Sequence, residues 1–297
     1  LRDHRARGRP HHDDPEGRGV TADFIPPAKP LLGEEERAAV DAVLRSGMIA
    51  QGPEVAAFER EFGEQLLGGR TAVAVSSGTA GLHLGLLAAG VGPGDEVVYP
   101  NPGYPIYESV IRFIGATPVP LSLREERGFS FDVDELRAKV GPKTSMIILN
   151  SPHNPTGGIL RPSDLEAVAE LALRHDCWVL SDEIYSRIVF GGEVLSISAI
   201  PDMEHRTIIL DGFSKTYSMT GWRLGYGVMP KSLAQDVTRL VTNVESCTAT
   251  FVQLAGVEAL TGPQDAVDRM VAEFKARRDL IVEGLNSIEG ITCQLPG

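Results

Sequence analysis

The chain reads as an α/β protein, a mostly parallel sheet covered by helices on both faces. Three observations predict it. Short apolar runs recur at Ala72-Val73-Ala74-Val75, Glu96-Val97-Val98-Tyr99, residues 145–149, Trp178-Val179-Leu180 and Thr207-Ile208-Ile209-Leu210. They are near-continuous rather than alternating, as strands buried on both faces are. Helical stretches separate them, and the chemically useful residues fall just past their ends, where open α/β sheets bind ligands.

Taken in order, residues 1–22 are polar, rich in Arg, His, Asp, Pro and Gly, and without periodicity, so they predict a disordered tail. Within them His11-His12-Asp13-Asp14 is better read as solvated tail than as a metal site. The chain opens on Leu1, which does not read as a true start. Order is expected from Phe24-Ile25-Pro26. The acidic Glu34-Glu35-Glu36 suits the first turn of a helix running to Leu44. A second helix is expected over residues 53–67. Strand 72–75 leads to helix 79–89, strand 96–99 to helix 105–114, and a further strand is expected at 117–119. Strand 145–149 precedes a helix at 163–175, followed by strands 178–180 and 207–210. A long charged amphipathic helix is expected over residues 263–288, then a short strand at Ile291-Thr292-Cys293. The resulting division is a tail at 1–22, a helical segment at 23–67, a large domain at 68–262, and the beginning of a smaller domain at 263–297, with Gly297 reading as a truncation point.

Bulk properties narrow the function. The chain has 297 residues and a net charge of −12, with an isoelectric point near 5.1. That charge disfavours nucleic acid and anionic membrane surfaces as partners. No apolar run approaches the roughly 20 residues of a membrane span, and Arg2 to Arg9 lead into no apolar signal core. Cys177, Cys247 and Cys293 are odd in number and far apart, outside any metal-ligand spacing. They read as reduced thiols in a cytoplasmic protein.

Four segments carry chemistry. Ser76-Ser77-Gly78-Thr79-Ala80-Gly81, between a strand and a helix, suits either a phosphate at a helix N-terminus or a plain capped turn. Asn150-Ser151-Pro152-His153-Asn154-Pro155-Thr156-Gly157-Gly158 is a loop stiffened by two prolines. Ser181-Asp182-Glu183-Ile184-Tyr185 places an aspartate at a strand end, fit to pair with a protonated pyridine nitrogen or to cap a helix. Ser214-Lys215-Thr216-Tyr217-Ser218-Met219-Thr220-Gly221-Trp222-Arg223 puts a lysine at a strand exit with an arginine eight residues on. Such an amine can form a Schiff base with an aldehyde cofactor, and such a guanidinium can clamp its phosphate. His83 reads as a packed core histidine, and His153 is given no role.

The last segment closely resembles the active-site segment of class I/II pyridoxal-phosphate (PLP) aminotransferases. From about Asn101 to Gly297 the chain resembles the aspartate type throughout, with Tyr104, Asn154, Asp182, Tyr185, Lys215 and Arg223 in the family order. The resemblance implies the PLP-transferase fold type I with an incomplete C-terminal small domain. It also implies roles. Lys215 holds PLP and shuttles a proton, and Asp182 partners the pyridinium. Asn154 and Tyr185 bond the phenolic oxygen, and Tyr104 stacks on the ring. Ser77, Gly78, Thr79, Ser214 and Arg223 hold the phosphate. The family's arginine for the substrate α-carboxylate is expected beyond Gly297, and no residue here is assigned that role.

Residues of about 24–100 resemble a different group, the nucleotide-sugar (DegT-type) aminotransferases. The likeness rests on Ile25-Pro26-Pro27-Ala28-Lys29-Pro30, Arg45-Ser46-Gly47-Met48-Ile49-Ala50-Gln51-Gly52-Pro53-Glu54-Val55 and Ser77-Gly78-Thr79-Ala80. The expected function is therefore amino transfer between an amino acid and a 2-oxo acid by a homodimer. Transfer to a keto-sugar nucleotide, and PLP binding without turnover, are the alternatives.

Overall fold

The apolar runs become strands and the stretches between them helices in a computed structural model that describes residues 33–47, 53–66, 68–192 and 194–297. The tail at 1–22, the onset of order at Phe24, and the motifs at residues 25–30 and 48–52 lie outside the described residues. So does Leu67, the expected end of the second helix.

Eight strands form one sheet: β1 (Thr71–Val75), β2 (Glu96–Asn101), β3 (Thr117–Arg124), β4 (Ser130–Phe131), β5 (Thr144–Asn150), β6 (Trp178–Asp182), β7 (Thr207–Gly212) and β8 (Gly225–Met229). Their spatial order is β1-β8-β7-β6-β5-β2-β3-β4. The run from β7 to β3 is parallel. β8 enters antiparallel between β1 and β7, and β4 closes the far edge antiparallel to β3. The helices among the described residues are α1 (Glu34–Ser46), α2 (Pro53–Leu66), α3 (Gly78–Ala88), α4 (Ile106–Phe113), α5 (Val133–Lys139), α6 (Pro162–His175), the single turn α7 (Phe213–Thr216), α8 (Lys231–Val244), α9 (Thr250–Thr261) and α10 (Asp265–Asn286). All of them lie in the unit spanning Leu32–Gly297.

The period of two along each strand divides the core. Val73 and Val75 of β1, with Met146 and Ile148 of β5, pack under α3, α4 and α8. On the opposite face, Ile147 and Leu149 of β5 meet α5 and α6, while Ala72 and Ala74 of β1 meet Phe58 and Phe62 of α2 and Val252 of α9. Each large apolar side chain so enclosed contributes about 1.5–3 kcal/mol against exposure.

Four differences from the sequence reading follow. β3 runs through Pro118 and Pro120 to Arg124, five residues past its expected end. The Thr117 N–H points inward, to the Asp95 carbonyl. The even-numbered prolines therefore direct their missing donors outward, and β4 pairs only with Leu123 and Arg124. β8 was not foreseen because two glycines among its five residues weaken any strand signal. The strand expected at Ile291-Thr292-Cys293 is instead irregular. There the Asn286 carboxamide takes the place of a neighbouring strand, accepting from the Cys293 N–H at 2.7 Å and donating to its carbonyl at 3.0 Å. His83 is half-buried rather than packed in the core, edge-on to the exposed Phe113 ring at 5.6 Å.

Candidate active site

The parallel strands all end on one rim. β5 ends at Asn150 and β6 at Asp182, directly paired in register. β7 ends at Gly212, and α7 then presents Lys215. β1, running the same way as β7, delivers Ser76, Ser77 and Gly78 to that rim, and β8 starts there at Gly225.

Asp182 is the centre of the arrangement. Its backbone carbonyl accepts from the Asn150 carboxamide at 3.0 Å and from the Ser151 N–H at 3.3 Å. Oδ2 accepts from the Tyr107 hydroxyl at 2.6 Å, and Oδ1 takes a longer bond, 3.3 Å, from the Ile184 N–H. Desolvation pushes the Asp182 pKa up. The Tyr107 hydroxyl, the Ile184 amide and the Lys215 ammonium pull the other way. Lys215 is exposed, with its Nζ 5.8 Å from the centre of the Tyr185 ring. Desolvation and then the charges of Asp182 and Tyr104 raise the Tyr185 phenol. Tyr104, 42 % exposed, meets the buried Tyr107 edge-on at 5.8 Å.

Tyr107 was missed by the sequence reading. One signal was available: it lies three residues after Tyr104 at the start of an expected helix, a spacing that puts two side chains on one face.

The loop after β5 is tied to the same centre. The Asn154 N–H donates to Asn150 Oδ1 at 2.8 Å, so one carboxamide links Asn154 to Asp182. Neither the Asn154 carboxamide nor the Tyr185 hydroxyl has a hydrogen-bond partner among the described residues. His153 closes the loop. Its N–H donates to the Gly158 carbonyl, its carbonyl accepts from the Gly157 N–H, and Nδ1 meets Thr156 Oγ1 at 2.8 Å. Its buried Nε2 has no partner among the described residues, and desolvation lowers its pKa to about 4.

At the other end Ser77 caps α3, its hydroxyl accepting from the Ala80 N–H at 3.1 Å. The Gly78 and Thr79 amides are left free among the described residues and suit an anion. Arg223, exposed and in a left-handed backbone conformation (φ 57°, ψ 55°), turns the chain into β8 and donates from Nη1 to the Thr220 carbonyl at 2.9 Å. Thr220 in turn donates to the Ser214 carbonyl at 3.1 Å. A Cβ at Gly225 would stand 3.2 Å from the Gly78 nitrogen and from the Ser77 carbonyl carbon. Glycine there lets the start of β8, two residues after Arg223, close against the N-terminus of α3.

Beneath this rim lie two more half-buried carboxyls. Glu183 accepts from Ser181 and Ser196 at 2.9 and 2.7 Å. Asp211 accepts from the Gly212 N–H at 2.6 Å and the Tyr226 hydroxyl at 2.8 Å. Desolvation, with Glu183 and Asp182 adding to it, raises Asp211 to about 7.

The donor set fits pyridoxal phosphate. It offers an amine for the aldehyde, a carboxylate with a lightly used oxygen for the ring nitrogen, an unpartnered carboxamide and phenol, and free amides at the start of α3 for the phosphate. Among the described residues no cluster of His, Cys, Asp or Glu suits a metal, and no helix is long and apolar enough to cross a membrane.

Comparison with known proteins gives a consistent result. Residues 54–296 match the model of a family described as aminotransferase class I and II. That stretch takes in residues 54–100, most of the segment whose motifs resemble nucleotide-sugar enzymes. An aspartate aminotransferase of Sulfolobus acidocaldarius is 40% identical over 203 residues, 68% of this chain and 50% of the relative. An arginine–pyruvate transaminase of Pseudomonas aeruginosa is 40% identical over 199 residues, 67% of this chain and 51% of the relative. The chain thus spans about half the length of the curated relatives it matches. Among solved structures, the aspartate aminotransferase of Rhizobium meliloti superposes with a TM-score of 0.81 at 31% identity, over 89% of this chain and 69% of that one. An alanine aminotransferase from Pyrococcus furiosus gives 0.79 at 30% identity, over 92% and 71%.

Proposed function

Since the chain belongs to the class I and II aminotransferase family, we propose that it binds pyridoxal phosphate and moves an amino group between an amino acid and a 2-oxo acid. The observation that carries this reading is the convergence of Lys215, Asp182 and Tyr185 on one rim, with the Asn154 loop tied to Asp182. When bound, the cofactor supplies an aldehyde that takes up the amino group and a protonated ring that draws off electrons from the substrate Cα. The chain's residues do the rest. Lys215 Nζ would hold the aldehyde carbon until the substrate amine displaces it, and the freed amine would then carry the proton taken from Cα. Asp182 keeps the proton on the ring nitrogen by pairing with it. Asn154 and Tyr185 donate to the phenolic oxygen, and Tyr104 covers the ring face. The Gly78 and Thr79 amides, the Ser77, Thr79 and Ser214 hydroxyls and Arg223 hold the phosphate.

The same reading carries the remaining proposals: a homodimer in the cytoplasm, a helical segment at 23–67, a cofactor-binding domain at 68–262, and a second domain beginning at 263. The sugar-enzyme likeness of residues 24–100 rests on sequence motifs alone, and the family match crosses it from residue 54. Exchange between amino and 2-oxo acids is therefore the reading carried forward, with a keto-sugar nucleotide as the competing acceptor and binding without turnover as the competing outcome.

The test is to mix the purified chain with pyridoxal phosphate, record the visible absorbance, and follow amino transfer to 2-oxo acids and to keto-sugar nucleotides. Lys215→Ala is expected to abolish the visible Schiff-base absorbance while far-ultraviolet circular dichroism stays unchanged. An unchanged absorbance in that variant would remove Lys215 from its role. Amino transfer confined to the sugar acceptor would overturn the substrate assignment, and binding without any transfer would leave a binding module.

A further inference from the structure

Building on the cofactor reading, we propose that Tyr107 is the positioning residue for Asp182, fixing which carboxylate oxygen faces the pyridine nitrogen. Its hydroxyl is the one side-chain hydrogen-bond donor to that carboxylate among the described residues, at 2.6 Å on Oδ2. Oδ1 carries only the 3.3 Å bond from the Ile184 amide, so Oδ1 is the oxygen left to meet a ring N–H.

The phenol is well placed to hold this orientation. Tyr107, in the first turn of α4, is 1 % exposed and packed in the core it shares with α3. Its backbone N–H donates to the Tyr104 carbonyl at 3.2 Å, and its ring meets the Tyr104 ring edge-on. One side chain therefore registers both the carboxylate expected under the ring nitrogen and the tyrosine expected on the ring face. Desolvation and the neighbouring Asp182 charge hold the Tyr107 phenol well above its usual pKa, so it remains a donor throughout the working range. Donation to Oδ2 also favours the ionised carboxylate, which desolvation opposes. A neutral Asp182 cannot partner a pyridinium by charge, so the phenol supports the ring's protonation as well as its placement.

Two measurements on the whole 297-residue chain test this without relying on turnover. In the cofactor-free chain, carbon-13 NMR of the Asp182 carboxyl is expected to show its titration midpoint raised by about one pH unit or more in Tyr107→Phe. In the same variant, pyridoxal phosphate affinity is expected to fall about ten- to hundred-fold, the worth of a hydrogen bond to a charged group. Replacing Tyr107 by 3-fluorotyrosine makes the phenol a stronger donor without changing the packing, and is expected to lower the midpoint. It decides the question should the phenylalanine variant fold poorly. A midpoint unmoved by either replacement overturns the role of Tyr107, and lost affinity with an unmoved midpoint does the same by reducing the residue to packing. Failure of the unaltered chain to bind pyridoxal phosphate overturns the cofactor reading and this inference together. Binding by the unaltered chain with Tyr107→Phe indistinguishable from it overturns only the inference.

Discussion

Desolvation raises the Asp211 carboxyl to about 7, from an ordinary 3.8, and lowers the His153 imidazole to about 4, from 6.5. The two act on stability with opposite signs. Between about pH 3.8 and 7 the folded chain holds a proton on Asp211 that the unfolded chain releases, so stability falls as pH rises through that window. Between about pH 4 and 6.5 the unfolded chain takes up a proton that His153 in the folded chain refuses, so stability falls as pH drops. Asp182 and Glu183, also raised by desolvation, act in the same direction as Asp211. Asp211→Asn keeps the shape and the acceptor oxygen. It is expected to be more stable than the unaltered chain at pH 8, by more than ~1 kcal/mol. His153→Gln is expected to flatten the acid side, between pH 6.5 and 4. Urea unfolding across pH 4 to 8 measures both, and slopes unchanged in the two variants would discard both assignments. Neither effect was legible in the sequence, because an aspartate or histidine taken alone carries no spacing and its pKa is set by neighbours from other strands. Lys215, Asp182 and Asn154 could be singled out because each stands in a segment after a strand that resembles the family's motifs.

Helix caps and strand junctions give the next set of expectations. Asp132 caps α5, accepting from the Asp134 and Glu135 amides at 2.8 and 3.3 Å, and pairs with Arg127. Asp132→Ala is expected to lower the urea midpoint of unfolding while leaving cofactor binding intact, since the helix lies far along the sheet from the lysine turn. Gly225→Ala makes the contrasting case. Its methyl meets backbone on both sides, 3.2 Å from the Gly78 nitrogen and 3.3 Å from the Asp211 carbonyl oxygen, and backbone gives way poorly. The β8 and α3 ends must part, so loss of phosphate affinity is expected together with ~1–3 kcal/mol of stability. Equilibrium binding of inorganic phosphate and of pyridoxal phosphate separates the two effects, and unchanged affinity for both would remove the junction from the site. Elements with long apolar runs, such as β5 and β7, could be read directly. β8 could not, because Gly225, which lets it approach α3, and Gly227 beside it hide it as a strand. The expected strand at 291–293 failed for a reason no local pattern holds: the Asn286 side chain reaches forward seven residues to satisfy that backbone.

For the molecule as a whole, the alternation of runs and helices was enough to give a parallel sheet covered on both faces. The position of β8 within it came only with the three-dimensional structure. A ligand that binds the folded chain alone raises its stability by mass action, about 2.7 kcal/mol at a hundredfold excess over Kd. Thermal melts at rising pyridoxal phosphate concentration are therefore expected to move steadily upward. Lys215→Ala should keep the part of that rise due to phosphate and ring contacts and lose the part due to the Schiff base. A melting temperature indifferent to the cofactor in the unaltered chain would count against the site.

Because β8 lies antiparallel beside β7, the chain leaves the sheet at Gly212 and rejoins the neighbouring position at Gly225. Lys215 and Arg223 both sit in that single excursion. Bringing them to the rim closes only a short loop, which costs little entropy and forms early. Asp182 and Asn154 arrive through crossovers carrying whole helices, whose contacts span much more chain. The lysine-and-arginine half of the cleft is thus a kinetically local unit. In pulse-labelled hydrogen exchange during refolding, the amides of β7 and β8 are expected to gain protection before those of β5 and β6.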